Sequence, residues 1–190
     1  VNVSNLQRQV IFDTASVGTP KAAAARARLL ALNPHIELVA HQVELRADNV
    51  LQLFERYDMV LDGTDRFGTR FLWNDACVIF HKPPVSAAIH RFEGQAMTYV
   101  PDRGPCYRCL FPAPPGEGLV PNCAEAGVLG VLPGVMGTIQ ATEAIKLIVG
   151  AGEPLIGRLL TYDALAMRFD EFSFKRRAGC AVCGRQPSIT

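Results

Sequence analysis

Apolar positions along this 190-residue chain change their period several times, and each change marks an element. In VGTPKAAAARARLLALNP, Val17–Pro34, alanine, arginine and leucine are strong helix formers. Thr19 is placed to cap that helix, Pro20 suits its first position and Asn33-Pro34 stops it. IELVAHQVEL, Ile36–Leu45, is short, β-branched in places and partly alternating, which predicts a strand. Asp48–Tyr57 fits a short amphipathic helix that starts at Asp48. In MVLDGTD three apolar residues run into a polar, Gly-containing turn, as a buried parallel strand does at a functional edge. Arg66–Lys82 predicts a helix with Phe67, Phe71, Leu72, Val78 and Ile79 as its apolar positions. Pro83–Val100 predicts two strands around a Glu93-Gly94 turn. A loop region rich in Gly, Pro and Cys runs from Pro101 to about Gly134, then a helix from Gly134 that Gly150 closes. RLLTYDAL and MRFDEFSFKRR are late strands.

Strands alternate with helices in the first half and pair with one another afterwards. The fold class is therefore α/β, with a mostly parallel sheet and antiparallel additions. In such sheets ligands bind outside the carboxyl ends of the strands, and Asp62 sits at one. No internal repeat or low-complexity stretch interrupts the pattern.

With 49% hydrophobic residues the chain can build one domain with a real core. A net charge of +1 offers no electrostatic case for nucleic acid or a membrane surface. No apolar run reaches the roughly 18–20 residues of a membrane span, and no leader pattern stands at the start. The expected location is the cytoplasm.

Six cysteines change the picture more than charge does. Cys106-Tyr-Arg-Cys109 and Cys180-Ala-Val-Cys183 are two C-x-x-C pairs in turn-like, Gly-flanked settings. Four such thiolates match a tetrahedral structural Zn²⁺ site. Residues 110–179 lie between the pairs, too many for a compact ribbon, so the metal would tie a mid-chain loop to the chain's end. The competing reading, a redox dithiol, needs only one pair. Cys77 falls in a helical apolar pattern and reads as a buried, inert thiol. Cys123 lies in a Pro- and Gly-rich loop, where an exposed thiol could act as a nucleophile beside a positive charge. His35, His41, His81 and His90 are scattered, with no ligand spacing among them.

Taken together, SNLQRQ, VGTPKAAAAR, LNPHI, DMVLDGTDRFGTRFLWNDAC, RFEGQ, CYRCLFP, NCAEAGVLGVLPGVMGTIQATEAIKLIVG and GCAVCG resemble the adenylating enzymes of the ThiF/MoeB/E1 superfamily. The MoeB-like members and their rhodanese-fused relatives are the nearest in pattern. The resemblance runs from Val1 to about Gly184 and implies a Rossmann-like adenylation domain over 1–184. It implies that ATP and the C-terminal Gly-Gly of a ubiquitin-like sulfur carrier are bound, and that the tail carboxylate displaces pyrophosphate from ATP. Molybdopterin, thiamine or related sulfur-cofactor synthesis would be served. Ser4, Asn5, Leu6, Gln7, Arg8 and Gln9 match the family's nucleotide loop, with Arg8 in the place of its key arginine. Lys21 adds a charge for the phosphates. Asp62 is the expected Mg²⁺ ligand, and Asp65 and Arg66 match neighbouring nucleotide contacts, with Asp-Arg here where relatives commonly have Asp-Asn. The resemblance implies catalytic roles for Arg8, Asp62 and Cys123, the last in the segment that crosses over the carrier's tail, where the matching Cys of some relatives forms a covalent intermediate and in others is dispensable. It also implies a homodimer. Gly127, Gly130, Gly134 and Gly137 then read as close packing near that segment.

The family's opening strand, G-x-G-G-x-G turn and helix, the Gly-rich β-α-β portion, are not among these residues. The expectation is a piece of a longer protein, with little or no activity alone. Residues 185–190 resemble the start of a linker to a rhodanese domain. The alternative from another class is a non-catalytic, zinc-stabilised E1-like module that binds a carrier without activating it. A nicotinamide-dependent oxidoreductase is disfavoured, since no G-x-G-x-x-G follows a strand.

Overall fold

The structure, a computed structural model, describes residues 1–116 and 127–190. It divides into two compact units, Val1–Glu44 and Leu45–Thr190.

The first unit is built from local hydrogen bonds. Asn2 caps a one-turn helix at Val3–Asn5 and Asp13 caps another at Thr14–Ser16. The hydrogen bonds from Ser16 hold the Asp13 carboxyl below its ordinary range. Helix α1, Lys21–Leu32, follows with Pro20 in the capping position. Thr19, expected to cap, does not: the N-terminus has no side-chain cap. Arg26 Nε donates to Leu38 O at 2.9 Å and ties the returning chain to α1.

The strand expected over Ile36–Leu45 is not formed. A strand exists through its ladder, and this extended segment has no strand partner among the described residues. Its Ile36, Val39 and Val43 are 44, 53 and 59% exposed. Periodicity reported a side-chain pattern there, not a neighbour.

In the second unit α2 spans Val50–Glu55, β1 Val60–Asp62, α3 Phe67–Ile79, β2 Pro84–His90 and β3 Glu93–Thr98. Next come α4, Tyr107–Leu110, α5, Leu132–Val149, β4, Arg158–Asp163, and β5, Arg168–Ser173. The five strands form one sheet in the order β1-β2-β3-β4-β5. The α/β class and the antiparallel additions hold, but the sheet is mixed, since only β1 and β2 are parallel. Hairpins join β2 to β3 and β4 to β5, and the long β3–β4 connection, which carries α4 and α5, brings β4 back antiparallel to β3.

The β2–β3 turn falls at Arg91-Phe92, not at Glu93-Gly94, and both of the latter pair within the ladder. Arg91 takes the positive φ, +51°. Gly94 has another cause: a β-carbon there would lie 2.5 Å from Met136 Sδ on α5.

Successive residues of β3 point to opposite faces, and two cores follow from that. Met97 joins Phe71, Trp73, Cys77 and Tyr107 on the α3 face. Ala96 joins Leu132, Met136, Leu155 and Tyr162 on the α5 face. Gly150, at φ +65°, ends α5 with its N–H on Lys146 O, as expected for a left-handed cap. Among the described residues a β-carbon at Gly127, Gly134 or Gly137 would meet nothing within 4 Å, and the segment against which close packing was expected lies outside the described residues. Glu143, 2% exposed, accepts from Thr98 Oγ1 and Leu155 N and pairs with Lys146, so its buried charge is compensated. No helix among the described residues is long and apolar enough to cross a membrane.

Candidate functional site

Two C-x-x-C segments far apart in sequence come together in the second unit. Cys106 is the N-cap of the single-turn helix α4 and Cys109 lies within it, and Cys180 and Cys183 sit in the tight turns before Gly184. All four are buried, and their sulfurs lie within 4.8 Å of one another. Cys106 Sγ is 3.6 Å from Cys180 Sγ, and Cys109 Sγ is 3.4 Å from Cys183 Sγ. A tetrahedron of sulfurs at a zinc–sulfur length of about 2.3 Å has edges of about 3.8 Å. The donor set therefore fits a tetrahedral metal ion. Arg177 N–H donates to Cys109 Sγ, as a knuckle's backbone does to a thiolate.

The same sulfurs explain why a cation is wanted. Burial pushes the Cys109 thiol up to about 11. The hydrogen bond to Cys183, followed by burial, raises Cys106. Cys183, which accepts from Cys106 first, is pulled down to about 5. Four buried sulfurs this close together cannot all carry negative charge uncompensated, which is the charge a bound metal ion would balance. Gly184 is fixed by geometry, because a β-carbon there would strike Cys180 O and come within 2.6 Å of Ala178 O.

This centre is bolted to α3. Tyr107 N–H donates to Asn74 Oδ1, 0% exposed, at 2.9 Å. Arg108 forks onto Asp75 at 2.6 and 2.7 Å and lies over the Phe71 ring. The Asp75 hydrogen bond raises the Arg108 pKa. Cys77, on the same helix, is fully buried, and burial pushes its thiol up, as expected of an inert packing residue.

The opposite end of α3 meets a cleft of about 610 Å³. Asp62 ends β1 with its side chain wholly buried. Its Oδ1 accepts from Thr64 N at 2.8 Å and Thr64 Oγ1 at 2.6 Å, and its Oδ2 accepts from Ser86 Oγ at 3.4 Å. Arg70, 7% exposed, pairs with Asp62 at 3.9 Å and donates from Nη2 to Thr64 O at 2.7 Å. Gln140 of α5 donates to both Asp62 O and Val85 O. The turn after β1 is thus held from three sides. Asp65 and Arg66, which it carries, are exposed and line the cleft.

The register defines the cleft's floor. Ala88, Gln95, Thr161 and Asp170 lie opposite one another across β2 to β5. His90, Glu93, Asp163 and Arg168 form the next row. Both rows line the cleft and share the α3 face with Met97.

Of the residues expected from sequence, the structure gathers the four cysteines, and it puts Asp65 and Arg66 on one cleft with Asp62 beneath them. Ser4, Asn5, Leu6, Gln7, Arg8, Gln9 and Lys21 belong to the first unit. There Arg8 is half-buried with Nη1 on Ser4 O at 3.0 Å, and Lys21 is exposed. Cys123 lies outside the described residues. Sequence reasoning missed Arg70, Asn74 and Gln140. The spacing of Arg70 and Asn74, four apart beside Phe71 and Trp73, was the available signal of a polar pair on a buried helix face.

The ThiF family model matches residues 1–182. A sulfur carrier protein adenylyltransferase of Thermus thermophilus is 50% identical, over 99% of this chain and 71% of that protein. A SAMP-activating enzyme E1 of Haloferax volcanii is also 50% identical, over 97% of this chain and 68% of that protein. The adenylyltransferase and sulfurtransferase MOCS3 of Mus musculus is 47% identical, and the chain spans 42% of it. Among solved structures, E. coli MccB with MccA-N7isoASN superposes with a TM-score of 0.85 at 21% identity, over 97% of this chain and 57% of that one, a likeness of fold.

Proposed function

We propose, from the premise that this chain belongs to the ThiF family, that its protein uses ATP to adenylate the C-terminal glycine carboxylate of a ubiquitin-like sulfur carrier. The observation that carries the reading is the cleft at the end of β1, where a braced turn presents Asp65 and Arg66 above a polar sheet face. Two relatives of 50% identity named for carrier activation support it.

The reaction asks for neutralised phosphates and an aligned carboxylate more than for covalent help. A tail carboxylate oxygen bonds to the α-phosphorus while the bond to the pyrophosphate oxygen breaks. Arg8 can fork onto phosphate oxygens, with Asn5 and Gln9 as amide partners and Lys21 as a point charge. Mg²⁺, when bound, neutralises phosphate charge and takes one or two carboxylates. Asp62 was the expected ligand, but its carboxylate is buried and engaged by Thr64 and Ser86. We assign the accessible carboxylate to Asp65 and give Asp62 the task of bracing its turn.

Zn²⁺ is the ion we assign to the four cysteines, in a structural role. Five described cysteines are free and buried, which suits a reducing cytoplasm. The apolar side chains Val131, Ile145, Ile148 and Val149, 57–74% exposed on and beside α5, support the expected homodimer. Residues 185–190 keep their reading as the start of a linker to a rhodanese domain.

The test is ATP binding by the intact protein, measured by equilibrium dialysis with Mg²⁺. Arg8→Ala and Asp65→Asn should each weaken it at least tenfold. Unchanged affinity in both would refute the assignment.

A further inference from the structure

A C-x-x-C knuckle needs its two inner residues only as spacers between ligands. In Cys106-Tyr-Arg-Cys109 both spacers reach α3 instead. Arg108 takes Asp75 at the surface, while Tyr107 is 4% exposed and makes three contacts with the same helix. Its N–H donates to Asn74 Oδ1 at 2.9 Å. Its ring packs edge-on against Phe71, with centroids 5.4 Å apart. Its hydroxyl accepts a hydrogen bond from the Arg70 guanidinium.

Arg70 is also what holds the turn after β1. Its Nη2 donates to Thr64 O at 2.7 Å, and its Nε faces Asp62 at 3.9 Å, buried and without a hydrogen bond. One carbonyl and one long ion pair leave much of a four-torsion side chain to be fixed from elsewhere, at a cost in rotamer freedom. The Tyr107 hydroxyl supplies that further fixed point. Arg70 and Asn74 lie one helical turn apart, so the knuckle grips α3 through its main chain at Asn74 and through a side chain at Arg70. Buried contacts therefore run without a break from the cysteines through Tyr107 and Arg70 to Asp62 and Thr64, and the next two residues are Asp65 and Arg66 on the cleft.

We propose that Tyr107 is a positioning residue for the nucleotide site: it fixes the Arg70 guanidinium, and with it the Asp62–Arg66 turn, in a place set by the four-cysteine centre. Loss of the metal then loosens the turn as well as the knuckle. Tyr107 itself touches no reacting atom. The inference deepens the adenylation reading, on which it rests for the nucleotide that the turn meets.

Tyr107→Phe in the intact protein tests it, because the ring stays against Phe71 and only the hydroxyl is lost. Metal content by elemental analysis should stay at one ion per chain, and Tm within about 4 °C of the wild type. Amide exchange at residues 62–66, followed by mass spectrometry, should quicken about threefold. The Kd for Mg·ATP, by equilibrium dialysis, should rise about fivefold. Added to Arg70→Lys, the substitution should change little more, since both act through one contact. Wild-type exchange and affinity in Tyr107→Phe, or losses that add in full to those of Arg70→Lys, would overturn the proposal. Should a variant fail to fold, the wild type stripped of metal below its unfolding temperature decides. Quickened exchange at 62–66 as well as at 106–109 supports the proposal, and quickening confined to 106–109 overturns it. If Tyr107→Phe quickens exchange at 62–66 while the wild type binds no ATP, the adenylation reading fails and the positioning role stands. If the wild type binds ATP and the variant changes neither readout, the reverse holds.

Discussion

Stripping the metal from the four-cysteine centre should cost this fold a large share of its stability. Cys106 and Cys180 are 74 positions apart, and the cluster closes that loop. Loop-closure entropy for a cross-link of this span is worth about 4 kcal/mol. Native domains are stable by only about 5–15 kcal/mol, so the clip is a major part of the total. For a chain of this size each kcal/mol moves Tm by about 2–4 °C, which predicts a fall of about 8–16 °C. The assay is differential scanning calorimetry of the intact protein before and after a strong chelator, with metal content followed by elemental analysis. Cys180→Ser should reproduce the shift without chelator. A Tm within 2 °C of the original after verified loss of the metal would refute the reasoning, since the thiols would then hold the loop without it.

The other expectations concern what surrounds that centre. Arg108→Ala removes a bidentate pair whose partners are only 16 and 13% exposed. Between the surface and buried limits for ion pairs, the loss should be about 2 kcal/mol by urea unfolding, and Asp75→Asn in the same background should add little. Gly184→Ala forces a β-carbon onto backbone carbonyls of the second knuckle, so metal content of the purified protein should fall well below one ion per chain. Cys77 should resist alkylation in the native state and react on unfolding, because burial keeps its thiol protonated; mass spectrometry of labelled peptides reports it.

Features that depend on residue type and spacing were legible in the sequence. Two C-x-x-C pairs state their chemistry through thiols alone, and the fold needed only to bring them together. Gly150 marked the end of α5 because only a residue tolerant of positive φ closes a helix in that way. Features that depend on a partner were not legible. Ile36–Leu45 has the pattern of a strand but no ladder among the described residues. Gly94 resembled a turn glycine because its neighbour on α5, Met136, is invisible in local sequence. Asp62 ends β1 and Asp65 lies in the turn after it, and burial, which the local sequence does not show, separates the two carboxylates. Arg70 breaks the apolar pattern of α3, and its burial is intelligible only once Asp62 and Thr64 O stand opposite it.

The central claim is tested most directly by ATP–pyrophosphate exchange with the intact protein and a sulfur carrier ending in Gly-Gly. Labelled pyrophosphate should enter ATP only when the carrier is present with a free C-terminal carboxylate, and a carrier ending in a carboxamide should be inert. Exchange that proceeds equally with the carboxamide, or is absent with every Gly-Gly carrier offered, would contradict it.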